Sequence, residues 1–261
     1  MANQDFLEDM LKEQEKREMK QVRENTLILD IETGSNEIEK WTEINTANKI
    51  QELLNSKYQW RSNWGEKANL EHQEKFEADK ADKISKIVAE GSEISALDVW
   101  LNRICIVGYK LDGKLIQLHE AKMNEQQMLS RFVSDASGKT IVTANGKTFD
   151  MICIQIHCAK YGIHLGAVNR HIDILDAFGK VWGFKKEVAS LDKLSVALGI
   201  EPNKYQDVNP AEIGSIFRNY SSGINRTEES VNEIKKILAY NAEDIRQTEE
   251  CYYKLNAVGL I

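Results

Sequence analysis

Cysteine, proline and long apolar runs are scarce in this sequence of 261 residues. The four cysteines form no Cys-x-x-Cys pair, which excludes an obvious zinc knuckle or disulfide framework, and we expect them to be reduced and buried. The two prolines argue against a proline-rich linker. No run of 18 apolar residues is present, and the charged N-terminal residues lack the apolar stretch of a signal peptide. We therefore expect a cytoplasmic protein that does not act in a membrane.

Basic charge is also in deficit. The 34 lysines and arginines are outnumbered by 41 aspartates and glutamates, and the net charge is -7. A protein that binds nucleic acid by electrostatic attraction alone should be basic. An acidic enzyme can still hold nucleic acid through metal ions, because the ions neutralise its carboxylates. The composition therefore disfavours simple charge-driven DNA binding and leaves a metal-dependent enzyme open.

Alternating stretches of strand and helix pattern predict a mixed α/β sheet. Five segments have the apolar, β-branched character of buried strands: 25–31, 103–110, 114–120, 140–144 and 171–175. Helical periodicity marks four further segments: 125–136, 150–161, 190–198 and 228–255. Asp112-Gly113 is typical of a hairpin turn, whereas the later strand–helix–strand stretches are typical of parallel crossovers.

Two segments differ from this α/β pattern. Residues 1–24 are charged throughout, and we interpret them as a charged N-terminal helix or arm before a domain at 25–261. Apolar residues recur at three-residue steps from 38 to 53, and a weaker helical pattern runs from 70 to 88. We interpret residues 35–96 as a helical hairpin that interrupts the domain.

A first pair of acids stands at the end of the first buried strand. Asp30 and Glu32 are two positions apart, so strand alternation sends both side chains to one face of the sheet. Two carboxylates in such a place repel each other and lose solvation. A bound divalent cation is the usual compensation. The alternative is a strand end that simply emerges into water.

Two further motifs place acids at helical positions. Asn145-Gly146-Lys147-Thr148-Phe149-Asp150 follows a buried strand and opens a helix, where an aspartate is also typical of an N-cap. Tyr240 and Asp244 are four positions apart on the C-terminal helix and share one face. An ordinary amphipathic helix produces such a pair as well. Each motif by itself is therefore weak evidence of a site.

In combination and in this order, the motifs Asp-x-Glu, Asn-x-x-x-Phe-Asp and Tyr-x-x-x-Asp resemble those of the DnaQ-like 3′–5′ exonucleases of the DEDD superfamily. The tyrosine is typical of the DEDDy branch, and the second motif is most similar to the proofreading exonuclease domain of family B DNA polymerases. His171–Asp176 and Ser190–Leu194 also match that family. The resemblance covers 25–33 and 97–256, and it implies an α/β RNase H-like fold with a mixed five-stranded sheet flanked by helices.

The resemblance also implies a catalytic site with two divalent cations, Mg²⁺ or Mn²⁺, which suit an all-oxygen ligand set. By this resemblance Asp30 bridges the two cations, Glu32 and Asp244 complete the first cation site, and Asp150 holds the second. Tyr240 orients the attacking water. We assign it positioning and not proton abstraction, because an unperturbed tyrosine has a pKa of about 10.

Four other residues are expected to contact the substrate. The resemblance implies that Thr33 and Gly34 offer backbone N–H groups to the terminal nucleotide. Asn145 and Phe149 are expected to contact or wedge the last bases. For Phe149 the alternative is packing in the core.

Two clusters combine aromatic and basic residues, as a platform for single-stranded nucleic acid does. One comprises Trp182, Phe184, Lys185 and Lys186. The other spans residues 57–61, with Trp64 beyond it. For both clusters the alternative is a surface loop with an aromatic anchor in the core.

The leading functional hypothesis is a metal-dependent 3′–5′ exonuclease that hydrolyses single-stranded DNA to nucleoside monophosphates, with proofreading in trans as one role. An exoribonuclease or oligonucleotide nuclease with the same site is the second hypothesis, because the motifs do not distinguish the sugars. A binding scaffold on an inactive nuclease fold is a third, although all four acids and the tyrosine are present. The insertion at 35–96 departs from the family. We expect it to influence the choice of substrate or of a replication or repair partner.

Overall fold

The computed structural model describes residues 25–35, 47–177, 190–205 and 207–261. The N-terminal arm at 1–24 and the aromatic and basic cluster at 182–186 lie outside the described residues. Within the described ranges, no helix is long and apolar enough to cross a membrane.

A five-stranded mixed sheet, with strand order β3-β2-β1-β4-β5, forms the centre of the molecule. Its strands are β1 (Thr26–Ser35), β2 (Asn102–Leu111), β3 (Lys114–His119), β4 (Thr140–Thr143) and β5 (Arg170–Asp173). β2 is antiparallel to both β1 and β3, whereas β4 is parallel to both β1 and β5. Asp112 and Gly113 have positive φ angles of 49° and 77°, as a two-residue hairpin turn requires. The predicted mixed five-stranded sheet is confirmed.

Strand β1 is longer than its apolar run predicts. It continues past Ile31 to Ser35, because this polar end keeps pairing with β2. The register shifts between Glu32 and Thr33, where β2 carries one extra residue. The second acid of the Asp-x-Glu motif therefore lies inside the strand, immediately before the irregularity.

Helices cover the sheet and extend from it. In the described residues they include α1 (Ala47–Asn55), α2 (Glu66–Ala96), α3 (Glu125–Ala136), α4 (Asp150–Lys160), α5 (Leu191–Ala197), α6 (Pro210–Ser221) and α7 (Glu228–Ala257). The bounds of α3, α4, α5 and α7 agree with the sequence prediction to within two residues. Helix α6 was not predicted. Gly214 in its middle weakens the helical pattern, but this glycine lets the helix lie directly against the backbone of β1 at Gly34.

Helices α1 and α2 occupy the segment that the sequence marks as a hairpin. The loop Ser56–Gly65 joins them, and Lys80 Nζ on α2 donates to the carbonyl oxygens of Leu54 and Ser56 at 3.4 and 3.3 Å. The opposite end of α2 reaches the sheet, where Thr33 Oγ1 donates to the carbonyl oxygen of Ala96 at 2.7 Å. That the segment is an insertion into a larger domain stays a prediction.

Both faces of the sheet are packed with apolar side chains. Leu29 and Ile31 of β1 join the core under α3 and α4, together with Phe132. Ile28 lies in a second core with Leu255 of α7. Alternate residues of β1 therefore face opposite layers, and this alternation turns Asp30 and Glu32 toward α7. All four cysteines are buried and free of disulfides, as predicted.

Candidate active site

Three acidic side chains from β1 and α7 converge at one point of the fold. Asp30, Glu32 and Asp244 each offer a carboxylate oxygen, and these oxygens all lie within 4.8 Å of one another. Strand alternation brings the first two together, and the packing of α7 across the sheet brings the third. Such a spacing suits oxygen ligands around one divalent cation.

Asp150 approaches the same strand from α4. Its Oδ1 accepts a hydrogen bond of 3.1 Å from the backbone N–H of Ile31, the residue between the two acids of β1. The N-cap of α4 is Phe149, and no side chain caps this helix. The carboxylate of Asp150, which is only 5% exposed, is therefore directed at β1 and does not serve as an N-cap.

Burial raises the pKa of all four carboxyl groups, and their mutual repulsion adds to the effect. The pKa of Asp150 rises to about 7 and that of Asp244 to about 6. The pKa values of Asp30 and Glu32 also lie well above the ordinary range, again with burial as the largest cause. No lysine or arginine of the described residues forms an ion pair with any of the four. Within the described residues, no basic side chain compensates this negative charge.

Tyr240 lies one turn before Asp244 on α7, and its hydroxyl lies beside that carboxylate, where it offsets part of the rise in the pKa of Asp244. Burial raises the pKa of the Tyr240 phenol far above its usual value, and Asp244, Glu32 and Asp30 raise it further. The phenol is therefore protonated at neutral pH. A protonated phenol can orient a water molecule but is a poor base.

Asn241 is a site residue that the sequence analysis missed. Its Nδ2 donates to Asp30 Oδ2 at 2.7 Å, and its Oδ1 accepts from Gln117 Nε2 at 3.0 Å. Gly108 lies opposite Asp30 on β2, and a Cβ added there would be 2.0 Å from Asn241 Oδ1. Only glycine leaves room for this amide. The sequence does contain an indication of this role, because Asn241 lies within the third motif and, three positions before Asp244, on the same face of the helix.

Asn203 holds the other end of the acidic cluster. Its Nδ2 donates to Asp244 Oδ1 at 2.9 Å and to the carbonyl oxygen of Tyr240 at 3.2 Å. The side chain is buried although it lies on an irregular loop. No periodic pattern marks such a position, so the sequence contains no signal for it.

Asp173 organises the loop that carries the second motif. Its Oδ1 accepts from the backbone N–H groups of Asn145 and Leu175 at 2.9 and 3.0 Å, and its Oδ2 accepts from that of Lys147 at 3.1 Å. Asn145 has a φ of 69°, in the left-handed region that asparagine tolerates. The sequence predicts a strand at Asp173, but no local pattern indicates this role in the site.

The four predicted substrate contacts have protein partners in the structure. Thr33 is buried with its hydroxyl bonded to Ala96, and a Cβ on Gly34 would lie 2.4 Å from the Cα of Gly214. Asn145 Oδ1 accepts from Thr148 Oγ1 at 2.8 Å. Phe149 is half-buried against the core under α3 and α4. Contact of these four residues with nucleic acid stays a prediction.

The residues present fit divalent cations. Their donors are all carboxylate oxygens, the ligands that Mg²⁺ and Mn²⁺ prefer. Glu32 Oε1 is buried and, among the described residues, has no hydrogen-bond partner. A buried acceptor without a partner is costly unless something else satisfies it. A cation beside Glu32 would supply that partner.

Comparisons with known proteins give a family and one similar structure. The family model for the RNase_H superfamily matches residues 93–256. A similar solved structure is the family B DNA polymerase from the hyperthermophilic archaeon Pyrobaculum calidifontis, at 14% identity and a TM-score of 0.46 over 88% of this chain and 24% of that one. The chain thus spans about a quarter of the length of that polymerase. Comparison with curated proteins finds no match.

Proposed function

Because the chain belongs to the RNase H superfamily, whose nuclease-type fold it shares, we propose that it is a metal-dependent 3′–5′ exonuclease of the DEDDy type acting on single-stranded DNA. The predicted RNase H-like fold is confirmed by this membership. The observation that carries the proposal is the meeting of Asp30, Glu32 and Asp244 within 4.8 Å, with Tyr240 beside Asp244. That constellation unites the first and third motifs at one point.

The proposed reaction is hydrolysis of the terminal phosphodiester bond. The oxygen of a water molecule bonds to the phosphorus of the terminal nucleotide. The bond from this phosphorus to the 3′ oxygen of the penultimate nucleotide breaks, and that oxygen leaves with a proton. Two divalent cations supply the charge that stabilises the attacking and leaving oxygens and a lowered pKa for the water. Asp30, Glu32 and Asp244 would hold one cation, and Asp150 with Asp30 the other. The product is a nucleoside monophosphate.

The other residues of the site position these groups. Tyr240 presents its hydroxyl beside Asp244 and orients the water, with Glu32 as an acceptor. Asn241 and Asn203 each fix one carboxylate oxygen, of Asp30 and Asp244 respectively. Because amides carry no charge, they orient the acids without competing with a cation for them.

One assay tests polarity, sugar and metal requirement together. Single-stranded DNA and RNA oligomers labelled at the 5′ or the 3′ end are incubated with the protein and Mn²⁺, with and without EDTA. We expect 3′-labelled DNA to release labelled mononucleotide first and 5′-labelled DNA to shorten step by step, and we expect EDTA to stop both. Cleavage of RNA alone would favour the exoribonuclease hypothesis.

A pair of variants on α7 controls for folding. Asp244→Asn is expected to abolish cleavage, whereas Glu250→Gln, a change at a partly exposed position six residues further along the same helix, should leave it unchanged. Cleavage that persists in EDTA, that proceeds from the 5′ end, or that survives Asp244→Asn would refute the proposal.

A further inference from the structure

The loop Ser56–Gly65 between α1 and α2, here called the insertion tip, is held in shape by one buried side chain. Asn69, on the first turn of α2, is 2% exposed. Its Oδ1 accepts from the backbone N–H of Arg61 at 3.0 Å and from the Tyr58 hydroxyl at 3.3 Å. Its Nδ2 donates to the carbonyl oxygens of Arg61 and Trp64, both at 3.2 Å. The tip therefore presents its outer side chains from a fixed backbone.

Those outer side chains are an indole and two cations. Trp60 is 54% exposed, and Lys57 and Arg61 are exposed beside it. The Arg61 guanidinium carbon lies 4.5 Å from the centroid of the Trp64 ring. No acidic residue occurs from 53 to 65, and neither cation forms an ion pair within the part of the chain that the structure describes. The tip is a positive, aromatic surface.

The charge of the neighbouring helix confines this surface to the tip. Helix α2 contains eight acidic residues against five lysines, so the excess positive charge that a polyanion would bind lies at the tip and not along the helix. Single-stranded nucleic acid offers a partner for each exposed group at the tip. An unpaired base stacks on an indole, and the phosphates pair with lysine and arginine. The charge complementarity favours this occupant.

We propose that the insertion tip is a second contact for the single strand whose 3′ end occupies the carboxylate cluster. This inference rests on the proposed function. The carboxyl-terminal end of α2 is tied to β1 beside Glu32, through Thr33 and Ala96. At 1.5 Å per residue the helix spans about 45 Å, which a stacked strand covers in about 13 nucleotides. The tip is beyond the reach of a short substrate and within the reach of a long one.

Substrate length is therefore the variable to test. Cleavage of a tetranucleotide and of a thirty-nucleotide DNA strand is compared for the wild type and for the double variant Trp60→Ala/Arg61→Ala. We expect the KM for the long strand to rise about fivefold or more, the effect of losing one stacked base and one phosphate contact. We expect kcat, and all parameters for the tetranucleotide, to stay unchanged.

Two further variants locate the effect. Leu70→Ala/Lys75→Ala removes an exposed apolar residue and an exposed cation from α2 outside the tip, and should behave as the wild type. Asn69→Ala keeps Trp60 and Arg61 but removes the side chain that fixes the loop. It should raise the KM for the long strand and leave the parameters for the tetranucleotide unchanged.

Binding of a fluorescent thirty-nucleotide strand in EDTA, followed by anisotropy, separates this inference from the proposed function. If the wild type cleaves both substrates and the double variant matches it in KM and in binding, the inference is overturned and the nuclease assignment stands. If nothing is cleaved, the proposed function fails, and equal binding by wild type and double variant would overturn the inference as well.

Discussion

Replacing Asp150 with asparagine tests whether an ionised, buried carboxylate at the site lowers the stability of the fold. Burial, with Asp173 and Asp244 adding to it, raises the pKa of Asp150 from 3.8 to about 7. Each pKa unit corresponds to about 1.4 kcal/mol, so an ionised Asp150 costs the folded state about 4 kcal/mol at pH 8. Asparagine has nearly the same shape, and its Oδ1 can still accept from the N–H of Ile31. It therefore mimics the protonated acid.

The pH dependence follows from the sign of the shift. Because the pKa is raised in the folded protein, the cost is absent below about pH 4, grows between pH 4 and 7, and is complete above pH 7. We expect Asp150→Asn to stabilise the protein in EDTA at pH 8 by about 2 to 4 kcal/mol, since the substitution also weakens one charge-assisted hydrogen bond. The corresponding rise in Tm is at least about 4 °C. At pH 4 the two proteins should unfold at the same temperature.

The measurement is thermal unfolding, followed by circular dichroism, of both proteins at pH 4 and pH 8 in EDTA. Mn²⁺ added at pH 8 should raise the Tm of the wild type more than that of the variant, which has lost a ligand. Glu250→Gln serves as the control and should show no gain that depends on pH. A variant that is less stable than the wild type at pH 8, or equally stabilised at every pH, would refute the reasoning.

Three further predictions concern the same site. Because the pKa of Asp244 is about 6, Mn²⁺ binding measured by calorimetry should strengthen as the pH rises from 5 to 8, and affinity that is flat over this range would contradict the assigned cause. Tyr240→Phe should lower kcat while leaving Mn²⁺ affinity unchanged, and a wild-type kcat would exclude a role in orienting water. Gly108→Ala places a Cβ 2.0 Å from Asn241 Oδ1 and should lower the activity and cost about 1 to 3 kcal/mol of stability. Gly65→Ala, at a position with open space around it, should change neither the stability nor the activity. Equal unfolding temperatures for the two variants would disprove the close approach at Gly108.

Local pattern was sufficient for the parts of the site that lie on one element. Alternation along β1 predicts that Asp30 and Glu32 share a face, and the spacing of Tyr240 and Asp244 predicts that they project together from α7. Apart from the polar end of β1, the bounds of the predicted strands and helices follow closely for the same reason, since burial of one face imposes a period on the sequence. Helix α6 was not predicted, because Gly214 weakens its local helical pattern. The packing of α6 against β1 requires this glycine.

Tertiary structure alone decided how these elements meet. The 4.8 Å cluster depends on α7 crossing β1, and that crossing depends on the space that Gly108 leaves for Asn241. Asn203 and Asp173 came into the site through contacts between segments far apart in the chain. A sequence records the period of one element, but the distance between two elements is set by packing of side chains that are not neighbours in sequence. The motifs therefore determined which acidic residues face the site from each strand or helix, and the fold determined which of them lie close enough to form one site.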